Sequence, residues 1–374
     1  MSDADGFFSR RRRELSASEP TVPLAFEELE RAAREALPPH TWQYTASGAG
    51  TGDAMRNNER GFDRWQIVPR VFRGTVERSL EASAFGRTLP APLALAPIGQ
   101  LSAYHDAGEV GTARAAADLG VPFTESTVAS QSLEDVAEAV PDAPRFFQLY
   151  WTDDWAVTRS LVERAERAGY DAVVLTVDYG GPRWIPAHLT TADSRPERTV
   201  PNVESDPVAR ANGVDPAGGD LWDPAVEWED LAFLREATDL PIVIKGVLHP
   251  EDARLAVDHG ADGVIVSNHG GRQVDGSVGA ITALPRVADA VDGRLPVGFD
   301  SGIRSGADAF KALALGADLV FVGRPYLYGL ALAGERGVRE VLLNLLAELE
   351  SILGLTGHDD VRDVDRTALL RVDD

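Results

Sequence analysis

The sequence predicts a (β/α)8 barrel, that is, a TIM barrel, and three observations lead to that fold class. Between residues 91 and 325, short apolar runs alternate with amphipathic segments of helical period. Eight such runs occur, and near-continuous apolar runs are typical of parallel strands that helices cover. Eight β/α units in this length match a barrel, which typically needs roughly 250 residues. A doubly wound open sheet also alternates, but it commonly has fewer strands.

Each of the eight predicted strands is apolar, and a Gly, a Pro or a polar residue stands at its ends. They lie at 93–96, 121–124, 146–149, 172–175, 241–244, 263–266, 295–298 and 319–322. Helical patterns lie between them, for example at 110–117, 157–168, 250–258 and 305–314. A glycine precedes several strands, where a left-handed residue commonly ends a helix: Gly120, Gly169, Gly260 and Gly316.

Two segments lie outside the barrel pattern, although we expect one structural domain overall. Residues 1–90 are predicted to form an N-terminal arm and a helical cap (Phe26–Ala36), and residues 91–374 the barrel with C-terminal helices. No apolar segment follows the S-R-R-R-R run at 9–13, so a frayed, solvated arm is predicted there. The segment at about 179–226, after strand four, is rich in Pro, Gly, Asp and Asn. A loop this long predicts an active-site lid.

Composition excludes several classes of function. The net charge of −23 disfavours nucleic acid and anionic membranes as partners. No apolar run is long enough for a membrane span and no signal-peptide pattern opens the chain, so a cytoplasmic protein is expected. The absence of cysteine excludes disulfides, thiolate metal sites, a catalytic thiol and a cysteinyl flavin.

The basic residues are almost all arginine. Lys245 and Lys311 are the two lysines among 36 basic residues. An acid-rich, lysine-poor composition is typical of proteins that stay soluble in high salt, as in halophiles, while an ordinary acidic enzyme from a GC-rich genome is the alternative. Lys245 is conspicuous because it ends an apolar run.

Polar side chains follow seven of the predicted strands at their C-terminal ends. They are Ser126, Gln148, Tyr150, Thr176, Asp178, Lys245, Ser267, His269, Asp300 and, with Gly323, Arg324. Because a barrel brings all these ends to one mouth, we expect the side chains to surround one site.

The last two strand ends predict a phosphate site. The segments 299–304 (F-D-S-G-I-R) and 322–325 (V-G-R-P) follow strands seven and eight, where barrels commonly bind phosphate through backbone N–H groups. Arg324 is suited to a charge-assisted bond with the phosphate. A structural arginine paired to an acidic residue is the alternative.

The segment 267–273 (S-N-H-G-G-R-Q) combines a base with an anion-binding group. The planar guanidinium of Arg272 suits a carboxylate. A lone histidine at a strand end is often structural, but Asp178 is suited to orient His269 and to stabilise its charge. We therefore predict a base, His269, beside a carboxylate-binding arginine.

From about residue 37 to about 357 the chain resembles the FMN-dependent 2-hydroxy-acid oxidase and dehydrogenase family. The S-N-H-G-G-R-Q signature is intact, and the segments at 44–48, 96–99, 146–150, 175–178, 244–246 and 300–304 also match. The resemblance implies that FMN's phosphate and ribityl chain contact Asp300, Gly302, Arg304, Gly323 and Arg324. It implies that the isoalloxazine contacts Pro97, Ile98, Gly99, Ser126, Gln148, Thr176 and Lys245, with Ser267 in the same cofactor site. Lys245 would stabilise the anionic reduced flavin.

The resemblance also implies the reaction, which is oxidation of a lactate-like L-2-hydroxy acid. Tyr44 and Arg272 would bind the substrate carboxylate and Tyr150 its hydroxyl. His269, supported by Asp178, would accept a proton as electrons pass to the flavin. No metal is implied. Oxygen or another carrier would accept the electrons, and the enzyme would be a homo-oligomer, a tetramer or larger.

Within the family the chain is most similar to lactate 2-monooxygenase and L-lactate oxidase, through stretches such as 132–135 and 299–304. Gly99, where alanine is usual, is expected to leave space beside the flavin. Retention of the keto acid there would allow oxidative decarboxylation, whereas an oxidase or dehydrogenase would release it.

One position departs from the family pattern. An arginine is common seven residues after the strand-four aspartate, but Ile185 stands there and Arg183 stands two residues earlier. Arg183 would supply the missing charge if Gly180 and Gly181 let the segment bend. Alternatively, Ile185 widens specificity towards larger apolar side chains.

Two rival hypotheses stay open from the sequence. Another phosphate-binding barrel, such as an aldolase or a flavin-dependent isomerase, would not require Tyr44, His269 and Arg272 together. A flavoprotein without turnover would not require them either.

Overall fold

Eight parallel strands close into a barrel in the computed structural model, and they follow one another around the ring in sequence order. The structure describes residues 6–179, 183–186, 199–215 and 223–372. The strands within these ranges are β1 (Trp65–Ile67), β2 (Ala82–Ala84), β3 (Arg87–Leu89), β4 (Leu93–Leu95), β5 (Phe123–Ser126), β6 (Arg145–Leu149), β7 (Ala172–Thr176), β8 (Ile242–Val247), β9 (Gly263–Val266), β10 (Val297–Phe299), β11 (Leu319–Val322) and β12 (Leu369–Arg371). Strands β4 to β11 form the barrel, so the predicted fold class is confirmed.

The helices precede, surround and follow the barrel. They are α1 (Phe7–Ala17), α2 (Phe26–Ala36), α3 (Pro39–Ala46), α4 (Asp53–Asp63), α5 (Gly108–Ala117), α6 (Leu133–Ala139), α7 (Trp155–Arg167), α8 (Pro201–Glu204), α9 (Pro207–Asn212), α10 (Leu231–Ala237), α11 (Pro250–Asp258), α12 (Ala280–Val291), α13 (Gly306–Ala314) and α14 (Arg324–Leu355). Helix α14 has two parts, joined where Ala333 and Gly334 leave the helical conformation. No helix in the described ranges is long and apolar enough to cross a membrane.

Three barrel strands start later than their apolar runs because a proline precedes them. Strands β5, β8 and β10 begin at Phe123, Ile242 and Val297, each directly after a proline. Proline has no N–H to donate to a neighbouring strand, so pairing begins one residue later. The four predicted glycine helix ends are confirmed, since Gly120, Gly169, Gly260 and Gly316 all have positive φ.

The barrel interior is filled from the end opposite the mouth. The hairpin of β2 and β3 inserts Phe85, whose ring centre lies 5.8 Å from that of Phe146 and 6.4 Å from that of Phe321. Gly263 makes room for this ring, because a Cβ there would lie 2.4 Å from Phe85 Cε1. A Cβ on Gly298 would instead crowd Ile265, whose Cγ1 would lie 2.8 Å away. Only the C-terminal ends of the strands are therefore left for polar chemistry.

The prediction of a frayed arm at 9–13 is wrong. These residues belong to α1, and Arg11 is buried, donating to Asn344 Oδ1 at 2.6 Å and pairing with Glu340 at 3.5 Å. Arg339 of α14 binds Glu14 of α1 at 2.6 Å. Arg11 is thus ordered by an acidic and an amide partner more than 300 residues away, and Arg10 of the same run pairs with Asp118 at 2.6 Å.

The segment predicted as one long loop at 179–226 is in part helical. Residues 199–215 carry α8 and α9, and Asp206 caps α9 while pairing with buried Arg164 of α7 at 3.0 Å. The rest of that segment lies partly outside the described residues, as do Gly180 and Gly181. Residues 199–215 are therefore docked on the barrel wall.

Candidate active site

Strand ends bring the predicted reactive side chains to one mouth. Thr176 of β7 is in register with Lys245 of β8, and Ser126 of β5 with Gln148 of β6. Asp178 lies just beyond β7, and His269 lies just beyond β9. Parallel register therefore determines which side chains meet.

His269 and Asp178 form a hydrogen-bonded pair. Their Nδ1 and Oδ1 atoms are 2.8 Å apart. His269 has a left-handed backbone (φ 58°), and its N–H donates to Ser267 Oγ at 3.0 Å, which holds the loop. Because the ionised Asp178 accepts a hydrogen bond from Nδ1–H, the Nε2 atom carries no proton and is left as the free base.

A glycine bulge makes room for Asp178. Strand β8 shifts register between Lys245 and Val247, and Gly246 at the bulge has φ 114°. A Cβ on Gly246 would lie 2.7 Å from the Cβ of Asp178. Only glycine combines this backbone conformation with such a close approach.

The charges around the pair keep the imidazole neutral and the carboxylate ionised. Burial lowers the pKa of His269, Asp178 opposes this, and Lys245 and Arg183 lower it further, so the pKa lies below its usual range. Burial raises the pKa of Asp178, but His269 and Lys245 outweigh that effect and the pKa is lowered. At neutral pH the site therefore holds an unprotonated base supported by a negative charge.

Lys245 is a buried cation. Its Nζ lies 3.2 Å from Asp300 Oδ2 and donates to Ser267 Oγ at 3.0 Å. Burial lowers its pKa, yet Asp300 and Asp178 outweigh burial and raise the pKa. Lys245 consequently stays charged inside the mouth.

Arg272 is fixed at the end of α3. Its guanidinium donates to the carbonyl oxygens of Tyr44 and Ser47, both at 2.9 Å, and lies 4.9 Å from the centre of the Tyr44 ring. Tyr44 is partly exposed. The structure thus brings the two predicted carboxylate-binding residues together.

Arg324 lies where an anion would be stabilised. It donates to the carbonyls of Thr45 (3.1 Å) and Gly270 (3.2 Å), and it forms no ion pair within the described residues. Burial, reinforced by the charges of Arg304 and Arg272, lowers its pKa to about 10. The alternative hypothesis of an arginine paired to an acid does not hold for Arg324, although Arg304 pairs with Glu59 at 3.3 Å.

Two helix N-termini meet this region, and they differ. Helix α13 is capped, because Ser305 Oγ accepts from the Asp308 N–H at 3.1 Å and the Glu348 carboxylate accepts from the Gly306 N–H at 2.7 Å. Helix α14 begins at Arg324 after Gly323 and has no side-chain cap. A phosphate is favoured where helix N–H groups lack partners, so α14 is the better anion site.

The described residues that directly follow β7, at 177–179 and 183–186, reach the same mouth. The guanidinium of Arg183 lies 4.6 Å from the centre of the Tyr179 ring, which is 5.0 Å from that of Tyr150. Ile185 is buried. Burial raises the pKa of Tyr150, and the charge of Asp178 raises it further, so Tyr150 keeps its proton.

Two residues that fix the segments around His269, Asn58 and Asp275, are absent from the residues predicted from the sequence. Asn58 and Asn268 exchange two amide hydrogen bonds of 2.8 Å, both side chains being buried. Asp275 accepts from the N–H of Thr51 at 2.6 Å and of Asp53 at 2.7 Å. Asp275 lies only two residues beyond the S-N-H-G-G-R-Q segment, which was the one available signal for it.

The expected space at Gly99 is not there. A Cβ on Gly99 would lie 2.6 Å from Val128 Cγ2 and 2.7 Å from the Val128 carbonyl oxygen. Val128 therefore fills the volume that the methyl group of an alanine at position 99 would occupy. The expectation that Gly99 opens room beside a flavin is wrong.

Comparison with known proteins defines the class. A model of the FMN-dependent dehydrogenase family matches residues 33–371, so the chain belongs to that family. It is 40% identical to an L-lactate oxidase of Lysinibacillus sphaericus over 96% of both chains. It is 39% identical to 2-hydroxyacid oxidase 1 of Homo sapiens, covering 92% of this chain and 95% of that protein. A solved structure of mandelate oxidase with benzoyl-formic acid superposes with a TM-score of 0.84 at 40% identity, over 93% of this chain and 98% of the other.

The protein is thus an FMN-dependent oxidoreductase of small 2-hydroxy acids, which confirms the predicted family, cofactor and reaction class. The residues present fit FMN at both ends of the cofactor. Arg324 and the uncapped start of α14 suit the phosphate. Gln148 Nε2 and Thr176 Oγ1 are buried and have no hydrogen-bond partner among the described residues, which suits the polar edge of a bound ring.

Proposed function

We propose that this site oxidises a lactate-like L-2-hydroxy acid to its 2-keto acid, with His269 as the base. The supporting observation is the 2.8 Å bond between Asp178 and His269, beside a guanidinium that is already positioned on Tyr44. A neutral imidazole next to a carboxylate-binding group is what proton removal from a bound hydroxy acid requires.

The substrate would be held by its two polar ends. Arg272 and Tyr44 bind the carboxylate, because the guanidinium offers a bidentate contact and carbonyl bonds fix it. Tyr150 keeps its proton and contacts the substrate hydroxyl. His269 Nε2 accepts a proton from the substrate, and Asp178 stabilises the imidazolium that forms.

FMN, when bound, accepts the two electrons of the oxidation. Its phosphate end would be held by Asp300, Gly302, Arg304, Gly323 and Arg324, and its ring by Pro97, Ile98, Gly99, Ser126, Gln148, Thr176, Lys245 and Ser267. Lys245 supplies a fixed positive charge for that end of the site, since its ion pair with Asp300 keeps it protonated.

We further propose that the keto acid leaves before it can be decarboxylated. Retention of the keto acid was expected to use room at Gly99, and Val128 fills that room. Assay of pyruvate against acetate from L-lactate distinguishes the two fates. Reoxidation of the reduced flavin, measured with and without oxygen, distinguishes oxygen from another electron acceptor.

The role of His269 is tested by His269→Gln, with His259→Gln as the control because His259 stacks near Trp228 instead. Loss of a general base typically costs about 10²–10⁴-fold. We expect His269→Gln to bind FMN normally and to be reduced by L-lactate at least about 10²-fold more slowly. Stopped-flow absorbance under nitrogen measures both properties. A His269→Gln rate within a few-fold of the parent would rule out this role.

A further inference from the structure

A serine stands after β10 at a position where the backbone favours glycine. Ser301 follows Asp300, is buried, and has φ 81°, in the left-handed region that residues with a Cβ rarely adopt. Gly302, the next residue, also has positive φ, and a Cβ there would lie 2.8 Å from the Asn58 carbonyl oxygen. Glycine is thus required at 302, whereas at 301 the chain keeps a strained serine. Such strain at the edge of a site points to a use for the hydroxyl.

The hydroxyl of Ser301 makes every hydrogen bond that a hydroxyl can make. It donates to Asp300 Oδ1 at 2.6 Å, and it accepts from the Gly270 N–H at 3.0 Å and from the Asn268 N–H at 3.4 Å. One donor and two acceptor positions are thereby filled. Asn268 and Gly270 are the residues on either side of His269, so Ser301 holds the backbone of the base from both sides.

A second hydroxyl holds the base itself. Ser267 Oγ accepts from the His269 N–H at 3.0 Å and from Lys245 Nζ at 3.0 Å. Lys245 in turn lies 3.2 Å from Asp300 Oδ2, and the other oxygen of that carboxylate binds Ser301. Three consecutive N–H groups around the base are therefore fastened, through two serines, to one buried ion pair.

The base needs this support because it lies in a tight turn. His269 has φ 58°, and the turn places its Nδ1 atom 2.8 Å from Asp178 Oδ1. Reacting groups must be held in a narrow geometry, and a displacement of about 1 Å costs about 10²-fold in rate. The left-handed Ser301 thus supports the left-handed His269, although neither residue type favours that conformation.

We propose that Ser301 is a positioning residue for the oxidation, which holds the His269 imidazole against Asp178 through the N–H groups of Asn268 and Gly270. The inference rests on the proposed role of His269 as the base. The three partners of the hydroxyl are all groups of the protein, so Ser301 acts through the base and not on the substrate.

The main test compares Ser301→Ala with Ser301→Gly in the FMN-bound enzyme. Both variants lack the hydroxyl, but only Ser301→Gly also lacks the Cβ that is unfavourable at φ 81°. We expect kcat with L-lactate to fall about 10- to 100-fold in both, because the base is misplaced. KM should change by less than about twofold, since carbonyl oxygens still hold Arg272. The melting temperature should be higher for Ser301→Gly, so a parental kcat in that variant would overturn the proposal.

The pH profile distinguishes positioning from a loss of stability. Burial lowers the pKa of His269, as do the charges of Lys245 and Arg183, whereas Asp178 raises it. A base that has moved away from Asp178 loses the contribution that raises its pKa. The acid limb of kcat/KM against pH is therefore expected to move to lower pH in both variants. An unmoved limb would contradict the proposal.

Ser132→Ala is the matched control. The Ser132 hydroxyl also donates to a carboxylate, that of Asp135 at 2.6 Å, and accepts an N–H at 3.1 Å, but it caps α6. We expect a lower melting temperature with parental kcat and an unmoved pH profile. The same kinetic defect in Ser132→Ala would assign the effect to general destabilisation and overturn the proposal.

Hydrogen exchange provides a readout that does not require turnover. Deuterium uptake of peptides that contain residues 267–271 is measured by mass spectrometry in the FMN-bound enzyme. We expect the amides of 268 and 270 to exchange at least about tenfold faster in both Ser301 variants and at the parental rate in Ser132→Ala. Parental exchange in the Ser301 variants would overturn the proposal. Parental flavin reduction by His269→Gln would reject the base itself, whereas parental kcat in both Ser301 variants would reject only the positioning role.

Discussion

At the residue scale, Arg183 occupies the position from which it can influence the base. Its charge lowers the pKa values of both Asp178 and His269, and it stacks on Tyr179 beside Tyr150. Ile185, in contrast, is buried. These observations favour the hypothesis that Arg183 supplies the charge that the family commonly places two residues later.

Arg183→Ala should therefore weaken lactate turnover. Loss of a charged hydrogen bond costs about 1.5–3 kcal/mol, so kcat/KM is expected to fall by about 10- to 100-fold. The pKa of His269 should rise, because a positive neighbour is removed. The acid limb of the rate against pH should then move to higher pH, since the base acts unprotonated.

The control for Arg183→Ala is Arg210→Ala, at an exposed arginine of α9 that donates to the Glu204 carbonyl. Steady-state kinetics from about pH 5 to pH 8, across the usual His pKa near 6.5, measures both variants. An Arg183→Ala enzyme with parental kcat/KM, and with greater activity on longer 2-hydroxy acids, would instead favour Ile185 as the specificity residue.

The sequence predicted contacts between individual residues where the fold alone brings those residues together. The approach of His269 to Asp178 follows from two strand ends that a barrel brings to one mouth. The filling of the Gly99 space by Val128 depends on how two loops approach each other. No periodicity encodes that approach, so it could not be predicted.

At the element scale, residues 47–54 connect the segment 267–273, which carries His269 and Arg272, with the segment that follows β7 and carries Trp184. Ala49 donates to the Gly271 carbonyl at 2.9 Å, and Gly50 donates to the Trp184 carbonyl at 2.8 Å. Asp275 binds the other end of this loop and the first turn of α4. Helix α3, with Tyr44, leads into the same loop, so its position is coupled to the loop that carries Arg272.

Asp275→Asn should loosen this connection. Hydrogen bonds from the Thr51 N–H, and then from its hydroxyl and the Asp53 N–H, outweigh burial and hold the pKa of Asp275 at about 2. A lowered folded-state pKa means that the carboxylate stabilises the fold above the unfolded pKa near 3.9, and that this stabilisation is lost as pH falls through about 2. We expect a lower melting temperature at pH 7 and a KM for lactate about 3- to 10-fold higher.

Asp154→Asn is the matched control for Asp275→Asn. Asp154 also caps a helix, accepting from Ala156 N–H at 2.9 Å, but it caps α7. It should lower the melting temperature while leaving KM unchanged. Equal KM values for all three proteins would show that Asp275 only stabilises the fold.

At the scale of elements, local sequence patterns predicted the strands well. They did not predict helices whose partners are distant in the sequence. Apolar runs reveal buried strands because both strand faces are covered. Helix α1 was predicted as a frayed arm because its partners Glu340 and Asn344 come from the far end of the chain. The docked helices α8 and α9 escaped prediction for the same reason, since Asp206 is ordered by Arg164.

At the scale of the whole molecule, the charge of −23 predicts a dependence on salt. Like charges on the surface repel each other, and salt shortens the range of that repulsion from about 10 Å at 0.1 M to about 3 Å at 1 M. We expect the melting temperature to rise by about 5 °C or more between low and molar KCl. Differential scanning calorimetry measures it.

An uncharged osmolyte separates screening from general exclusion effects. Sucrose stabilises proteins by being excluded from their surface and does not screen charge. If sucrose at equal osmolality gave the same gain as KCl, charge repulsion would not be the source. A melting temperature that falls with KCl would contradict salt adaptation altogether.

The scarcity of lysine has a practical consequence for labelling. The amine of Lys245 is buried between Asp300 and Ser267, and that of Lys311 donates to the Phe62 carbonyl at 3.1 Å. Reagents that attack side-chain amines, such as succinimidyl esters, therefore find hardly any target on the native surface. Amine cross-linking would fail to capture an assembly of these chains, whereas carboxylate-directed coupling would find abundant sites. Conversely, acylation of Lys245 would report the opening of the barrel mouth, against a background almost free of competing amines.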